Sequence, residues 1–159
     1  MSAEENKALV RRWFEEVWNR GRAEAIDEMF AEDAVARGLA DASGQPLRGP
    51  EGFKPFFRQF RDAFPEIEVV VEDTVAEGDK VAARCSVRAR HQGDTLGFAA
   101  TNRPVEFDGI TIVRIRDDKI VEAWNNFDFM AMFQQLGALQ LSAPAAEDAK
   151  DYGRAEGDA

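Results

Sequence analysis

The chain holds a single histidine, His91, and a single cysteine, Cys85. Proton transfer near neutral pH by an unperturbed side chain therefore falls to His91, whose ordinary pKa lies near 6.5. As a general base it must reach a substrate proton; the competing reading is an imidazole that ties a strand end to the loop after it. Asn125 is a second polar residue, inward on the last predicted strand if the parity of that strand matches. Its amide exchanges no proton near neutral pH, but it can donate a hydrogen bond to a carbonyl oxygen and so hold or polarise it. Asp128 is a nearby carboxylate, yet it directly precedes Phe129-Met130-Ala131-Met132-Phe133, where an aspartate caps a helix. His91 and Asp128 are candidates by residue type, and Asn125 is set beside them as the third catalytic candidate on grounds given below. One histidine and one cysteine exclude both a zinc cage built from several such ligands and an internal disulfide. No calcium-loop or phosphate-loop pattern occurs, so neither a metal nor a cofactor is expected.

Periodicity shows which elements carry these residues. Ser2-Ala3-Glu4-Glu5 reads as a capping box, and Leu9, Val10, Trp13, Phe14, Val17 and Trp18 recur at helical spacing until Gly21. A second helix is predicted from about Ala23 to Phe30, then irregular chain from Ala34 to Gly49. Phe53, Phe56, Phe57, Phe60 and Phe64 mark a third helix, predicted to start close to Lys54 because Pro55 is tolerated only in a first turn or at a break. From Pro65 the period becomes two. Ile67, Val69 and Val71 alternate with acids, and Val81, Ala83, Cys85, Val87 and Ala89 alternate with polar residues, with His91 on the apolar side. Strands are predicted from Val105 to Arg116 and from Lys119 to about Asn126, then a short helix from Asp128 through Leu136.

Helices followed by a strand meander give an α+β class: a cone-shaped, curved antiparallel sheet folded over three N-terminal helices, with a short C-terminal helix. Residues 1–141 form this domain, and residues 142–159, rich in Ala, Gly and acids, read as a disordered acidic tail. The small inward residues Ala83, Cys85, Gly109 and Thr111 leave room for a ligand. Val121, Ala123 and Asn125 are expected inward, and the aromatic helix stripe, Phe57 included, closes a greasy cavity against them. Trp18, Phe57 and Thr111 are the substrate-binding candidates, although aromatic residues at helical spacing are core by default. Ile110, Ile112 and Trp124 share the opposite face, an apolar patch that predicts a homodimer packed sheet to sheet.

A net charge of −10 repels a phosphate backbone, which argues against nucleic-acid binding. No apolar run approaches membrane-spanning length and the N-terminus is acidic, so no membrane partner and a cytoplasmic location are expected.

The chain resembles the SnoaL-like polyketide cyclases, of the nuclear transport factor 2-like superfamily, over about residues 7–139. The resemblance rests on Trp18-Asn19-Arg20-Gly21, Gly49-Pro50-Glu51-Gly52-Phe53, Ala63-Phe64-Pro65, Arg90-His91-Gln92-Gly93, Asp118-Lys119-Ile120 and Gln134-Gln135-Leu136-Gly137, in that order. It implies a pocket for a small apolar carbonyl compound, and intramolecular aldol ring closure of a polyketide ester without a cofactor. It also implies an acid/base aspartate on the last strand, a position that falls on Asn125 here. The polar pocket positions of the cyclases fall on Gly109 and Thr111, and Trp18 matches an aromatic that contacts substrate. Two functions follow as alternatives: a cyclase or isomerase in which Asn125 orients the carbonyl and His91 moves the proton, or a non-catalytic small-molecule-binding or dimerisation module. Isomerase chemistry of the ketosteroid type needs a pocket tyrosine, and the only tyrosine is Tyr152 in the tail.

Overall fold

A computed structural model describes residues 2–139; the predicted tail lies outside the described residues. The Ser2 side chain accepts from the Glu5 amide while Glu5 accepts from the Ser2 amide, and this reciprocal cap opens α1 (Ala3–Trp13). The helix does not run on as an α-helix to Gly21. It widens into a π-helical turn over Phe14–Asn19, followed by α2 (Ala23–Met29).

Residues 34–49, expected to be irregular, instead form most of β1 (Phe30–Ala40) and β2 (Pro46–Arg48). Their alternation is hidden by two breaks in register, one against each neighbour, and by Gly38 at φ +80°. A strand interrupted in this way loses the period of two on which a sequence reading depends.

The next helix, α3 (Gly49–Ala63), begins five residues before the predicted Lys54. Pro50 suits its first turn, and Pro55 is carried inside the helix. The missing Pro55 amide costs one backbone hydrogen bond. Burial of Phe53, Phe57 and Phe60 on one face offsets that cost.

The meander follows as β3 (Glu68–Glu77), β4 (Lys80–Arg90), β5 (Pro104–Arg116) and β6 (Lys119–Phe127), and α4 (Phe129–Gln135) ends the fold. The six strands form one curved sheet in the order β2-β1-β6-β5-β4-β3. It is not wholly antiparallel, because β1 lies parallel to β6. Between Ile115↔Ile120 and Arg114↔Glu122 the pairing slips, so that Val121 is the bulged residue. Ile120 therefore points inward where Val121 was expected, and after the bulge Ala123, Asn125 and Phe127 share the concave face. Among the described residues no helix is long and apolar enough to cross a membrane.

Candidate functional site

The helices close the concave face of the sheet over a cavity of about 70 Å³. Trp13, Phe14, Trp18, Phe53, Phe56 and Phe60 form its helical side, and Phe107, Thr111, Val113, Ala123, Asn125 and Phe127 its sheet side. The π turn explains how two tryptophans reach one wall. In an α-helix positions 13 and 18 would stand about 140° apart around the axis. A turn with i→i+5 bonds brings them much closer together around the axis. The wide turn is held at its C-terminal end by two neighbouring elements. The Asn19 amide pairs with the backbone of Val69, accepting from its N–H at 2.6 Å and donating to its carbonyl at 3.0 Å. Arg61 donates to the Trp18 carbonyl at 3.0 Å. At the other end of the cavity Gln135 makes the same two-point pairing with the backbone of Glu106, which fastens α4 to β5.

Indole nitrogens aside, the only polar side chains on the wall among the described residues are Thr111 and Asn125, cross-strand partners on β5 and β6. The Thr111 hydroxyl donates to Asn125 Oδ1 at 2.9 Å, and Asn125 Nδ2 donates to the Arg37 carbonyl at 2.9 Å. These two bonds fix the orientation of the amide. One Nδ2 hydrogen remains without a protein acceptor among the described residues. Gly38 makes the geometry possible, since a Cβ there would run into the Asn125 backbone carbonyl and its φ lies in the left-handed region. The Arg37 carbonyl was missed by sequence reasoning because a backbone acceptor carries no residue signature. A glycine inside a strand was the available hint.

His91 is fully buried, but it is not on the cavity wall. Its ring packs between Phe64 and Phe98, and Nδ1 accepts from the Thr101 amide at 3.0 Å. The acceptor role of Nδ1 puts the proton on Nε2, which has no well-formed partner. Burial lowers the His91 pKa, opposed in part by the Gly93 backbone. Backbone bonds from His91 to Arg103 and from Asn102 to His91 close the loop beside it.

Asp128 accepts from the Ala131 amide at 3.0 Å as the N-cap of α4, and it too is off the cavity wall. Phe57 packs behind the wall against Trp18, ring centroids 5.7 Å apart, while its neighbours Phe53, Phe56 and Phe60 line the space. The structure thus brings Trp18, Thr111 and Asn125 to one cavity and leaves His91, Asp128 and Phe57 outside it. Cys85, also inward, has its thiol pushed up to about 12 by burial. On the convex face Ile112 and Trp124 are register partners beside Ile110, and Lys80 and Arg114 lie over the Trp124 ring at 5.8 and 5.5 Å.

A mixed sheet wrapped over helices around one apolar cavity is the nuclear transport factor 2-like cone. Within that class the match is more specific, because residues 8–136 fit the family model of the SnoaL-like polyketide cyclases, and the chain belongs to that family. Among its relatives is the aklanonic acid methyl ester cyclase DauD of Streptomyces sp. (strain C5), 31% identical over 131 residues, covering 81% of this chain and 80% of the relative. The cyclase DnrD of Streptomyces peucetius, which acts on the same ester by name, is 31% identical over 131 residues, covering 81% and 88%. Of the solved structures, IdmH of Streptomyces antibioticus superposes with a TM-score of 0.72 at 33% identity, covering 83% of this chain and 98% of IdmH.

Proposed function

We propose that this chain binds a small apolar carbonyl compound in the cone, with Asn125 donating its remaining amide hydrogen to the carbonyl oxygen. One observation carries the reading: on a wall that is otherwise apolar among the described residues, the Asn125 amide is already oriented by Thr111 and the Arg37 carbonyl. No titratable side chain stands on the wall among the described residues, so Asn125 holds and polarises the ligand but moves no proton. Acetophenone is a suitable probe, its binding followed by quenching of the wall tryptophans. Saturable binding is expected, weakened about tenfold in Asn125→Leu, the scale of one buried hydrogen bond. Absence of saturable quenching would sink the reading.

A second reading, cofactor-independent ring closure, is favoured by the names of the two cyclase relatives. It requires water or the substrate itself to carry the proton. Turnover of an aromatic polyketide methyl ester above the buffer rate would establish it.

The binding unit in this reading is a homodimer. Ile110 and Ile112, 49% and 40% exposed, sit on a face that also carries Arg84, Arg88, Glu106 and Asp108. A two-fold-related copy therefore meets both apolar surface and opposite charge. Ile112→Glu should shift the protein to monomer in sedimentation at micromolar concentration. A wild type that sediments as a monomer contradicts the assignment.

A further inference from the structure

We infer that Phe127 is the size filter of the cavity: its ring occupies the space that the missing side chain of Gly109 leaves open, and it limits direct access to Asn125 to ligands of about one ring. The inference rests on the binding reading above and extends it to the class of ligand. Gly109 and Phe127 are cross-strand partners, and a Cβ on Gly109 would overlap the Phe127 ring. The glycine thus gives the ring its seat, and any larger residue would displace it.

The position matters as much as the fit. Along β6 the concave face runs Ala123, Asn125, Phe127, and along β5 it runs Val113, Thr111, Gly109, so the ring is the next group after the polar pair. Phe127 and Phe129 are half-buried and stack with centroids 6.3 Å apart, whereas Trp13 and Val113 on the far side of the pair are buried. Phe127 therefore stands between the open end of the cavity and the amide.

The volume agrees with a filled rather than a roomy pocket. About 70 Å³ is half of the roughly 150 Å³ that accepts benzene in an apolar protein cavity, and far below the roughly 300 Å³ at which drug-sized pockets begin. A one-ring ketone needs modest rotation of the half-buried aromatics. A fused three-ring ketone needs Phe127 out of its seat.

The test measures acetophenone and a three-ring ketone, 9-acetylanthracene, against wild type, Phe127→Ala and Phe127→Leu by tryptophan quenching, with thermal melts to confirm folding. Wild type should bind acetophenone and bind the three-ring ketone at least tenfold more weakly. Phe127→Ala should gain tenfold or more for the three-ring ketone and so reverse or erase the preference for acetophenone. Phe127→Leu, which keeps apolar bulk but lacks the flat ring, should fall between the two and serves as the deciding variant if Phe127→Ala does not fold. Equal binding of the three-ring ketone by wild type and the variants overturns the filter while leaving the binding reading intact. Binding of neither ketone by any of the proteins overturns both.

Discussion

Asn125, on β6, and His91, one residue past the end of β4, are both polar side chains set among apolar ones, and their surroundings separate them. His91 is sealed between Phe64 and Phe98 and spends Nδ1 on the Thr101 amide. Asn125 faces the cavity, satisfied on two sides by Thr111 and the Arg37 carbonyl and left with one hydrogen to give. Burial alone does not mark a functional group. What matters is whether the unused hydrogen-bonding capacity opens onto space that a ligand can fill. For His91 it does not open onto the cavity, and the imidazole acts as a fastener for the loop after β4. The same comparison applies to the two other amide clamps: Asn19 gives its Nδ2 hydrogens to the Val69 carbonyl and the Glu15 carboxylate, and Gln135 keeps an Nε2 hydrogen, but neither side chain stands on the cavity wall.

The largest effect should come from breaking the fastener. His91→Ala leaves a void and an unpaired Thr101 amide, and a loss on the order of 3 kcal/mol is expected in chemical denaturation. Acetophenone affinity of the folded fraction should stay within about twofold. A tenfold loss of affinity in folded protein would mean that His91 reaches the ligand after all, and His91→Gln permits the same reading if the alanine variant is too unstable.

Asn125→Asp should have an intermediate and pH-dependent effect. A carboxylate oxygen would replace the amide donor against the Arg37 carbonyl, which only accepts, so the contact survives only with the acid protonated. Burial in an apolar wall pushes the same way, raising the folded-state pKa above its unfolded value near 3.9. The folded variant then binds more protons than the unfolded chain, so its stability should fall as pH rises through that interval. Melts across pH 4 to 8 would reveal this. A variant as stable as wild type at every pH would show that the Arg37 carbonyl does not select a donor at this position.

The smallest effect is the acid limb of the wild type. His91 has a lowered folded-state pKa because of its burial, so below the unfolded value near 6.5 the unfolded chain binds the extra proton first. Stability should decline as pH drops from that point towards the folded-state pKa, and His91→Gln should flatten this part of the profile. An unchanged slope would show that the imidazole is not sealed.

Periodicity carried much of the fold. The capping box at Ser2, the aromatic stripe of α3, the alternation of β4 and β5 and the Asp128 cap are local signals, and each corresponds to an observed element. The rest depends on long-range geometry. The π turn is stabilised by the pairing of Asn19 with Val69 of β3 and by Arg61 of α3, and β1 is recognisable only through its partners β6 and β2. The bulge at Val121 reverses the parity of β6 before Ala123, which no alternation count within the strand reveals. In the cavity Thr111, Trp18 and Asn125 were legible as side chains. The Arg37 carbonyl and the seat of Phe127 on Gly109 were not, because one is backbone and the other is the absence of a side chain.

In the proposed function Asn125 donates a hydrogen bond to a bound carbonyl, with no proton carrier beside it among the described residues. The carbonyl stretch of ¹³C-carbonyl acetophenone, recorded by infrared difference spectroscopy on wild type and Asn125→Leu, tests it most directly. In wild type the band should move to lower frequency than in the leucine variant and stay unchanged between pH 5.5 and 8, since no wall group titrates. Identical frequencies for ketone bound to the two proteins, or a band that shifts with pH, would contradict the account.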